Sequence, residues 1–387
     1  MPVIDISKIT KALKKNNEGL TVGFQSPVHW LSTGCYALNW MLTRDFTRGL
    51  PLDGKINMFC GDSGAGKSYF CSANVVRDAL AKGTQVVLID TEDRLDPDWF
   101  KNLGIDTTNP LFSRLQTNSI ETIMQIVADI SKEYRTANAE IPREEQPGLL
   151  FIIDSLGAVY PDDEVMRYQE GELSMTDGMR RAGAITRMMN SILASIASST
   201  IGCNITNHVY ATTDMYSDDV IPGGKKLVFL STQIVQMNKL KLKAKDLEIG
   251  LDDVKESDVV GIRSKCKIYK SNWNKPFETI EVQIPYEVGM NPYSGLFDLF
   301  SSLKGNNGAL LQKDGNQFVY INPNTNEEEW KKYRKHITAD DWEKMMKDYT
   351  LYQNNQEANE KEKWLGDNKS ETDETPSEPK KKSKKGE

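Results

Sequence analysis

The sequence lacks the features that identify several large classes of protein. It has three histidines and five cysteines among 387 residues, and no two cysteines have the C-x-x-C spacing. Metal-ligating residues this sparse argue against a zinc site or a disulfide framework. The cysteines Cys35, Cys60, Cys71, Cys203 and Cys266 lie mostly in apolar segments. We therefore expect buried free thiols and a reducing compartment.

Long apolar runs are also missing. No run approaches the roughly 20 residues that a membrane-spanning helix needs. The N-terminal segment MPVIDISKITKALKKNNEG has neither the apolar core nor the cleavage site of a secretory signal. Its Ile6, Ile9 and Leu13 instead repeat at helical spacing. The sequence therefore predicts a protein with no membrane partner. It also predicts an N-terminal amphipathic helix, packed either on its own domain or on a neighbouring copy.

The chain has no surplus of positive charge. It contains 48 Lys and Arg against 55 Asp and Glu, for a net charge of −7. Nucleic-acid-binding surfaces are usually basic. A basic groove can nevertheless coexist with an acidic outer face, so the net charge neither supports nor excludes a nucleic-acid partner.

The chain does contain a series of short apolar runs separated by helical patterns. The predicted strands are 55–60, 85–90, 148–155, 201–209 and 232–237, and the longest helical pattern covers 176–197. Strands that are apolar on both faces and alternate with helices predict an α/β fold, with a mostly parallel central sheet flanked by helices. Segments 259–271 and 278–288 predict an antiparallel pair that extends this sheet.

These patterns divide the chain into four regions. The main domain is predicted at 35–300, preceded by an N-terminal helix and connector at 1–34. A small α/β region at 301–354 combines a hairpin near KDGNQFVYINPN with a helix beginning near Thr338. Residues 355–387 are polar and charged, which predicts a disordered tail.

The stretch GDSGAGKS, residues 61–68, matches the phosphate-binding pattern G-x-x-x-x-G-K-[ST]. Its glycines let backbone N–H groups approach phosphates. Lys67 supplies positive charge to the β- and γ-phosphates, and the Ser68 hydroxyl reaches Mg²⁺. The loop stands between a predicted strand and a predicted helix, whose N-terminus favours anions. ATP and Mg²⁺ are the predicted ligands, and the predicted binding residues are Gly61, Asp62, Ser63, Gly64, Ala65, Gly66, Lys67, Ser68 and Tyr69.

Two carboxylates are candidates for the chemistry of a bound triphosphate. Asp154 ends an apolar strand, where it suits a role beside Mg²⁺ or the cap of the following turn. The next residue is Ser155, whereas many P-loop ATPases place a catalytic glutamate there. Glu92, two residues beyond strand 85–90, is therefore the candidate for orienting the attacking water. The alternative is a solvated acidic loop. We expect strand 85–90 to lie beside the P-loop strand.

The strand at 201–209 ends in polar residues and leads into a long irregular segment. Asn207 and His208 could sense a γ-phosphate or simply cap the strand end. Residues 211–226 have no helix or strand pattern, and such segments are usually functional or disordered. A second irregular segment covers 160–178. In segment 211–226, Met215 and Tyr216 offer an apolar wedge, and Gly223 and Gly224 offer a hinge. Lys225 and Lys226 offer contacts to phosphates.

Five ordered blocks of the sequence resemble the RecA-type strand-exchange recombinases. They are GLPLDGKINMFCGDSGAGKS, VVLIDTEDRLDPDWFKNLGID, LLFIIDSLGAV, TNHVY…PGGKKLVF and YKSNW…NPYSGLFDL. The resemblance covers about residues 30–300 and is closest to the UvsX-like recombinases of tailed bacteriophages. Five blocks in order are more specific than the phosphate loop alone.

The resemblance implies a role for each matching residue of the nucleotide site. Glu92 would be the catalytic carboxylate and Asp154 the metal-side aspartate. Asp96 and Trp99 would contact adenine. His208 would link the γ-phosphate to the DNA-binding segments.

The resemblance also implies DNA contacts and a site shared between copies. Segments 160–178, with Met175, and 209–226 would be the two DNA-binding loops. A basic pair from a neighbouring protomer would reach the γ-phosphate. The first position of that pair is Lys270, but the second is Asn272, so Lys275 or Lys267 would have to compensate.

The implied function is ATP-dependent homologous recombination. The protein would form a filament on single-stranded DNA, pair it with homologous duplex DNA and exchange strands. A single-strand-binding protein and a mediator protein would assist, in the cytoplasm of a cell or of a phage host. The alternatives are a helicase motor on the same core, a P-loop small-molecule kinase, and a regulatory protein that binds ATP without turnover.

Overall fold

The computed structural model describes residues 5–16, 26–172, 174, 176–210, 221–247 and 255–372, with no side-chain description for 16 and 362–372. The chain divides into two compact units, Met1–Leu299 and Phe300–Glu387. The strands of the first unit are β1 (Trp30–Leu31), β2 (Leu50–Pro51), β3 (Ile56–Gly61), β4 (Gln85–Asp90), β5 (Phe112–Gln116), β6 (Leu149–Asp154), β7 (Ile201–Asn207), β8 (Gln233–Lys243), β9 (Val259–Lys270) and β10 (Thr279–Pro285).

Eight of these strands form one large sheet in the described part of the chain. Their order is β10-β9-β8-β3-β7-β6-β4-β5. The pairs from β8 through β5 are parallel, whereas β8, β9 and β10 pair antiparallel. The predicted α/β fold, with its antiparallel extension, is confirmed.

Helices cover the two faces of this sheet, as the apolar character of its central strands requires. All residues of β3, β6 and β7 are buried, and a parallel sheet buried in this way needs helices on both faces. The π-helical segment Tyr69–Asn74 precedes α3 without a break. The helices are α1 (Ile6–Asn16), α2 (Tyr36–Thr43), α3 (Val75–Ala81), α4 (Pro97–Asn102), α5 (Ile120–Ala137), α6 (Asp162–Gln169), α7 (Asp177–Ile196), α8 (Lys225–Leu230) and α9 (Leu296–Ser302).

Strand 85–90, now β4, was predicted to lie beside the P-loop strand, and this prediction was wrong. Strand β3 pairs with β7 and β8, whereas β4 lies between β6 and β5. A crossover connection between parallel strands has a preferred hand, but it does not determine how many strands it passes over. Two strands, β7 and β6, therefore separate the P-loop strand from the strand that leads to Glu92.

Two further elements differ from the sequence prediction. Helix α6 occupies the first part of segment 160–178, which was predicted to be irregular. Its first turn carries three acidic residues, which favour a helix N-terminus. Strand β5 was not predicted because only some of its residues are half-buried, and the apolar signal is weak.

The second unit contains a small sheet and a long helix. The three-stranded sheet has the order β13-β14-β15, and the predicted hairpin is its antiparallel β13–β14 pair. Helix α10 continues to Thr372, so the prediction of disorder from residue 355 was wrong up to that point. The segment is rich in helix-favouring Glu, Lys and Gln, and residues 373–387 lie outside the described part. The strands and helix are β11 (Lys304–Gly305), β12 (Gly308–Ala309), β13 (Leu311–Asp314), β14 (Gln317–Ile321), β15 (Glu328–Lys332) and α10 (Ala339–Thr372).

All five cysteines are buried, as predicted, and none of them forms a disulfide. Burial raises the pKa of Cys203 and of Cys266 to about 12, which keeps these thiols protonated near neutral pH. Among the described residues, no helix is both long enough and apolar enough to cross a membrane.

Candidate nucleotide site and its carboxylates

The P-loop has the backbone geometry of a phosphate cradle. Gly64 and Gly66 have φ angles of 71° and 97°, in the region that favours glycine. At Gly61 a Cβ atom would lie 1.9 Å from the carbonyl oxygen of Met237 on β8. The glycines of the motif are therefore required by the conformation of the loop and by its close packing on the sheet.

Lys67 lies inside this loop as a nearly buried cation. Its side-chain ammonium donates to the carbonyl oxygens of Gly61 at 3.0 Å and Asp62 at 2.7 Å, and the residue is 7% exposed. Burial lowers the pKa of Lys67, while the nearby carboxylates of Asp154 and Asp62 act in the opposite direction. Carbonyl oxygens are neutral acceptors, so they leave the positive charge of Lys67 unpaired with an anion. Phosphate oxygens can pair with that charge, and Lys67 therefore fits a triphosphate.

Asp154 is held by two hydroxyl groups at the end of β6. Ser72 donates to one carboxylate oxygen at 2.7 Å, and Thr206 donates to the other. The described residues contain no cluster of three His, Cys, Asp or Glu side chains that could hold a metal. Magnesium is commonly bound by one or two protein groups together with phosphates and water. Asp154 and Ser68 therefore fit Mg²⁺ as partners of a nucleotide, not as a complete protein site.

The loop after β4 is built around one buried carboxylate. Asp90 is 1% exposed, and it accepts backbone N–H groups from Glu92, Asp93 and Leu95 at 3.2, 2.9 and 3.2 Å. The guanidinium of Arg114 on β5 binds the same carboxylate at 2.6 Å. These contacts hold the backbone that carries Glu92.

Glu92 lies at the centre of a polar cluster. The hydroxyl of Ser155 donates to Oε1 of Glu92 at 2.6 Å. The Arg94 guanidinium lies 2.9 Å from Oε2, and Nε2 of His208 lies 3.6 Å from Oε1. Thr91 joins the two strand ends, because its hydroxyl accepts from Ser155 N–H and donates to Ser155 C=O. The structure thus brings together two predicted site residues, Glu92 and His208.

His208 connects this cluster to the segment that follows β7. A Cβ added at Gly157 would lie 2.8 Å from Cδ2 of His208, so the ring packs directly on that glycine. The adjacent Asn207 donates its side-chain amide to the carbonyl oxygen of Pro222 at 2.9 Å. The end of β7 is therefore linked to Glu92 through His208 and to Pro222 through Asn207.

The residues predicted to contact adenine lie at α4, which follows the loop after β4, and Tyr69 lies directly after the P-loop. Asp96 caps α4 by accepting from Asp98 N–H at 2.7 Å. Trp99, on that helix, is half-buried. Tyr69 follows the P-loop, and its hydroxyl accepts from Met290 N–H at 2.9 Å.

Lys270 is engaged within its own chain. Its ammonium donates to the carbonyl oxygens of Val228, Phe229 and Ser231 at 2.9, 3.0 and 2.6 Å, at the C-terminal end of α8. Burial lowers its pKa. A contact with a neighbouring protomer's nucleotide would require at least some of these bonds to open.

The two lysines predicted to compensate for Asn272 differ in their surroundings. Lys267 lies over the ring of Phe277, with Nζ 5.3 Å from the ring centre. Lys275 and Asn272 are exposed. Compensation by either lysine stays a prediction.

The candidate DNA contacts are only partly within the described residues. Gly223 and Gly224 have φ angles of 98° and 85°, in the region that favours glycine. Lys225 and Lys226 are exposed at the start of α8. The candidates Met175, Met215 and Tyr216 lie outside the described residues.

Sequence reasoning missed a cavity between α6 and α7. Its volume is about 480 Å³, and its lining includes Arg180, Arg187 and Met179. The two arginines are seven positions apart on α7, which places them on one helical face. That spacing was the available signal. Arg94 and Ser155 were also missed as partners of Glu92, because neither belongs to a recognisable spacing pattern.

Comparison with known proteins gives a consistent family. The RecA N-terminal domain model matches residues 5–291. The protein RecA of Wigglesworthia glossinidia brevipalpis is 27% identical over 300 residues, covering 76% of this chain and 78% of that protein. The protein RecA of Chlorobaculum tepidum is 27% identical over 295 residues, covering 76% and 74%. The phosphate loop, the sheet and these matches agree, and the chain belongs to the RecA family.

Proposed function

We propose that this protein is an ATP-dependent homologous recombinase. It forms a filament on single-stranded DNA, pairs that strand with homologous duplex DNA and exchanges strands. The observation that carries the proposal is the cluster at the carboxyl edge of the sheet. There Glu92 contacts His208, and His208 leads directly into segment 209–226.

The proposed site assigns a separate task to each polar group. Lys67 and the P-loop N–H groups bind the β- and γ-phosphates, and Ser68 and Asp154 hold the metal side. Mg²⁺ when bound neutralises charge on the transferred phosphoryl group. Glu92 orients the attacking water. Asp96 and Trp99 flank the adenine.

The DNA side of the proposal uses the same cluster. His208 senses the γ-phosphate and transmits it through Asn207 and Pro222 to segment 209–226, which binds DNA together with segment 160–178. Gly223 and Gly224 provide the hinge. Met175, Met215, Tyr216, Lys225 and Lys226 are the proposed DNA contacts.

Filament formation is proposed from two surfaces. Ile6 and Ile9 on α1 are 72% and 49% exposed, and burial of such apolar side chains on a neighbouring copy would be favourable. Lys270 would reach the neighbour's γ-phosphate after leaving the end of α8. Contacts with a single-strand-binding protein and a mediator, and the closeness to UvsX-like recombinases, stay predictions.

An ATPase assay with and without single-stranded DNA, paired with a homologous strand-invasion assay, tests the proposal. DNA-stimulated hydrolysis and joint molecules that require homology are expected. Lys67→Ala should abolish both activities. Equal hydrolysis rates with and without DNA, together with no joint molecules, would exclude a recombinase. Duplex unwinding that ignores homology would instead favour a helicase motor.

A further inference from the structure

Arg94 differs from the other partners of Glu92 in its exposure. The Arg94 side chain is 76% exposed, whereas that of Glu92 is 19% exposed. Ser155 is buried at 2%, and the ring of His208 packs against Gly157. Arg94 is therefore the partner of Glu92 that solvent surrounds most, and such an ion pair is easily opened.

The pair with Arg94 conflicts with the work proposed for Glu92. A carboxylate that orients water must offer an oxygen to that water. In the structure Oε1 accepts from Ser155, and Oε2 faces the Arg94 guanidinium at 2.9 Å. A guanidinium this close to one carboxylate oxygen offsets the charge of the carboxylate and blocks the approach of a water molecule to that oxygen. Of the two oxygens, Oε2 becomes available when Arg94 leaves.

The backbone around Arg94 limits how the pair can open. The N–H groups of its neighbours, Asp93 and Leu95, both donate to the buried carboxylate of Asp90. Arg114 binds Asp90 and also Asp93. The loop is thus held on both sides of Arg94, so opening requires only rotation of the Arg94 or Glu92 side chain.

We infer that Arg94 is a positioning residue that restrains Glu92, and that its ion pair must open before Glu92 can orient the attacking water. This inference rests on the proposed function, in which Glu92 is the catalytic carboxylate. His208 provides a second approach to the same carboxylate from the proposed DNA-binding segment. A change in the position of the His208 side chain can therefore shift Glu92 away from Arg94.

The test compares Arg94→Gln and Arg94→Lys in steady-state ATP hydrolysis, with and without single-stranded DNA. Arg94→Gln should raise the DNA-independent kcat about fivefold, the size expected from loss of one exposed ion pair. KM for ATP and the DNA-stimulated rate should stay within about twofold of wild type. Arg94→Lys retains an ion pair with Glu92, so its DNA-independent kcat should stay close to the low wild-type value.

Arg48→Gln is the matched control, because Arg48 forms an exposed ion pair with Asp45 and has no assigned role in the site. It should leave both rates unchanged. A basal rate in Arg94→Gln that is unchanged or lowered would overturn the inference. Equal changes in the basal and DNA-stimulated rates would do the same.

Glu92→Gln separates this inference from the proposed function. Hydrolysis that persists in Glu92→Gln would overturn the catalytic role of Glu92 itself. If Glu92→Gln is inactive and Arg94→Gln behaves like wild type, the inference about Arg94 fails alone. Thermal melting of Arg94→Gln should match wild type, since the side chain is exposed.

Discussion

The ends of β6 and β4 each lead to a carboxylate at the same edge of the sheet, but the groups in direct contact with the two carboxylates differ in charge. Asp154 is held by the hydroxyls of Ser72 and Thr206. Glu92 is held by one hydroxyl, from Ser155, and lies beside the ionisable groups of Arg94 and His208. Hydroxyl donors orient a carboxylate without neutralising it, whereas a guanidinium competes for its charge.

This difference suits two different tasks. In its proposed place beside Mg²⁺, Asp154 has to remain negative and fixed, and the neutral donors from the helix after the P-loop and from β7 suit that requirement. A carboxylate that orients water in only one state of the protein has to be released on demand. Because the ionic partners of Glu92 are partly exposed, little free energy is needed to separate Glu92 from them.

The largest expected effect in this comparison is that of Glu92→Gln. Hydrolysis should fall by about 10²–10⁴-fold, because an amide cannot act as the water-orienting base. ATP-dependent binding to single-stranded DNA should persist, and fluorescence anisotropy of labelled DNA measures it. Glu133→Gln, at an exposed position of α5, is the matched control. Loss of DNA binding together with hydrolysis would show that Glu92 does more than act on water.

The next effect is that of Asp154→Asn. The amide retains the size of the carboxylate but loses its charge, so hydrolysis should fall by about 10²-fold and the half-saturating Mg²⁺ concentration should rise. Magnesium titrations at fixed ATP measure both changes. Ser72→Ala keeps the charge and removes one donor. If it shifts the Mg²⁺ requirement as far as Asp154→Asn does, the charge of Asp154 is not the important property.

Gly157→Ala should have a smaller and more selective effect. The added Cβ would displace the His208 ring, since it would lie 2.8 Å from Cδ2. We expect stimulation of hydrolysis by DNA to drop about tenfold, with nucleotide binding kept. The double variant with His208→Ala should fall no further than either single variant. Additive losses would mean that Gly157 acts by a route other than His208.

Ser155→Ala should have the smallest effect. Removal of one hydroxyl donor leaves Glu92 with Arg94 and His208, so kcat should fall by about threefold to fivefold. Single-turnover hydrolysis measures this change, and Ser155→Thr, which keeps a hydroxyl, should restore part of it. A loss as large as that of Glu92→Gln would show that Ser155 takes part in the chemistry directly.

Much of the fold could be predicted from local patterns. The continuous apolar runs predicted β3, β4, β6 and β7 because strands buried on both faces have to be apolar throughout. Helix α6 and strand β5 were not predicted, since a short acidic segment and a half-buried edge strand carry weak periodicity. The helix beyond residue 355 was missed because a solvated helix has the same polar composition as a disordered tail.

The sequence by itself determined the chemistry that each residue can perform. GDSGAGKS predicts a phosphate loop, and Ser155 in place of glutamate directs attention to Glu92. Tertiary structure alone decided which groups meet. The order of the strands places the ends of β4, β6 and β7 side by side, so positions 92, 155 and 208 come into contact. Contacts between residues so far apart in the chain depend on sheet order and crossover, which no local pattern encodes.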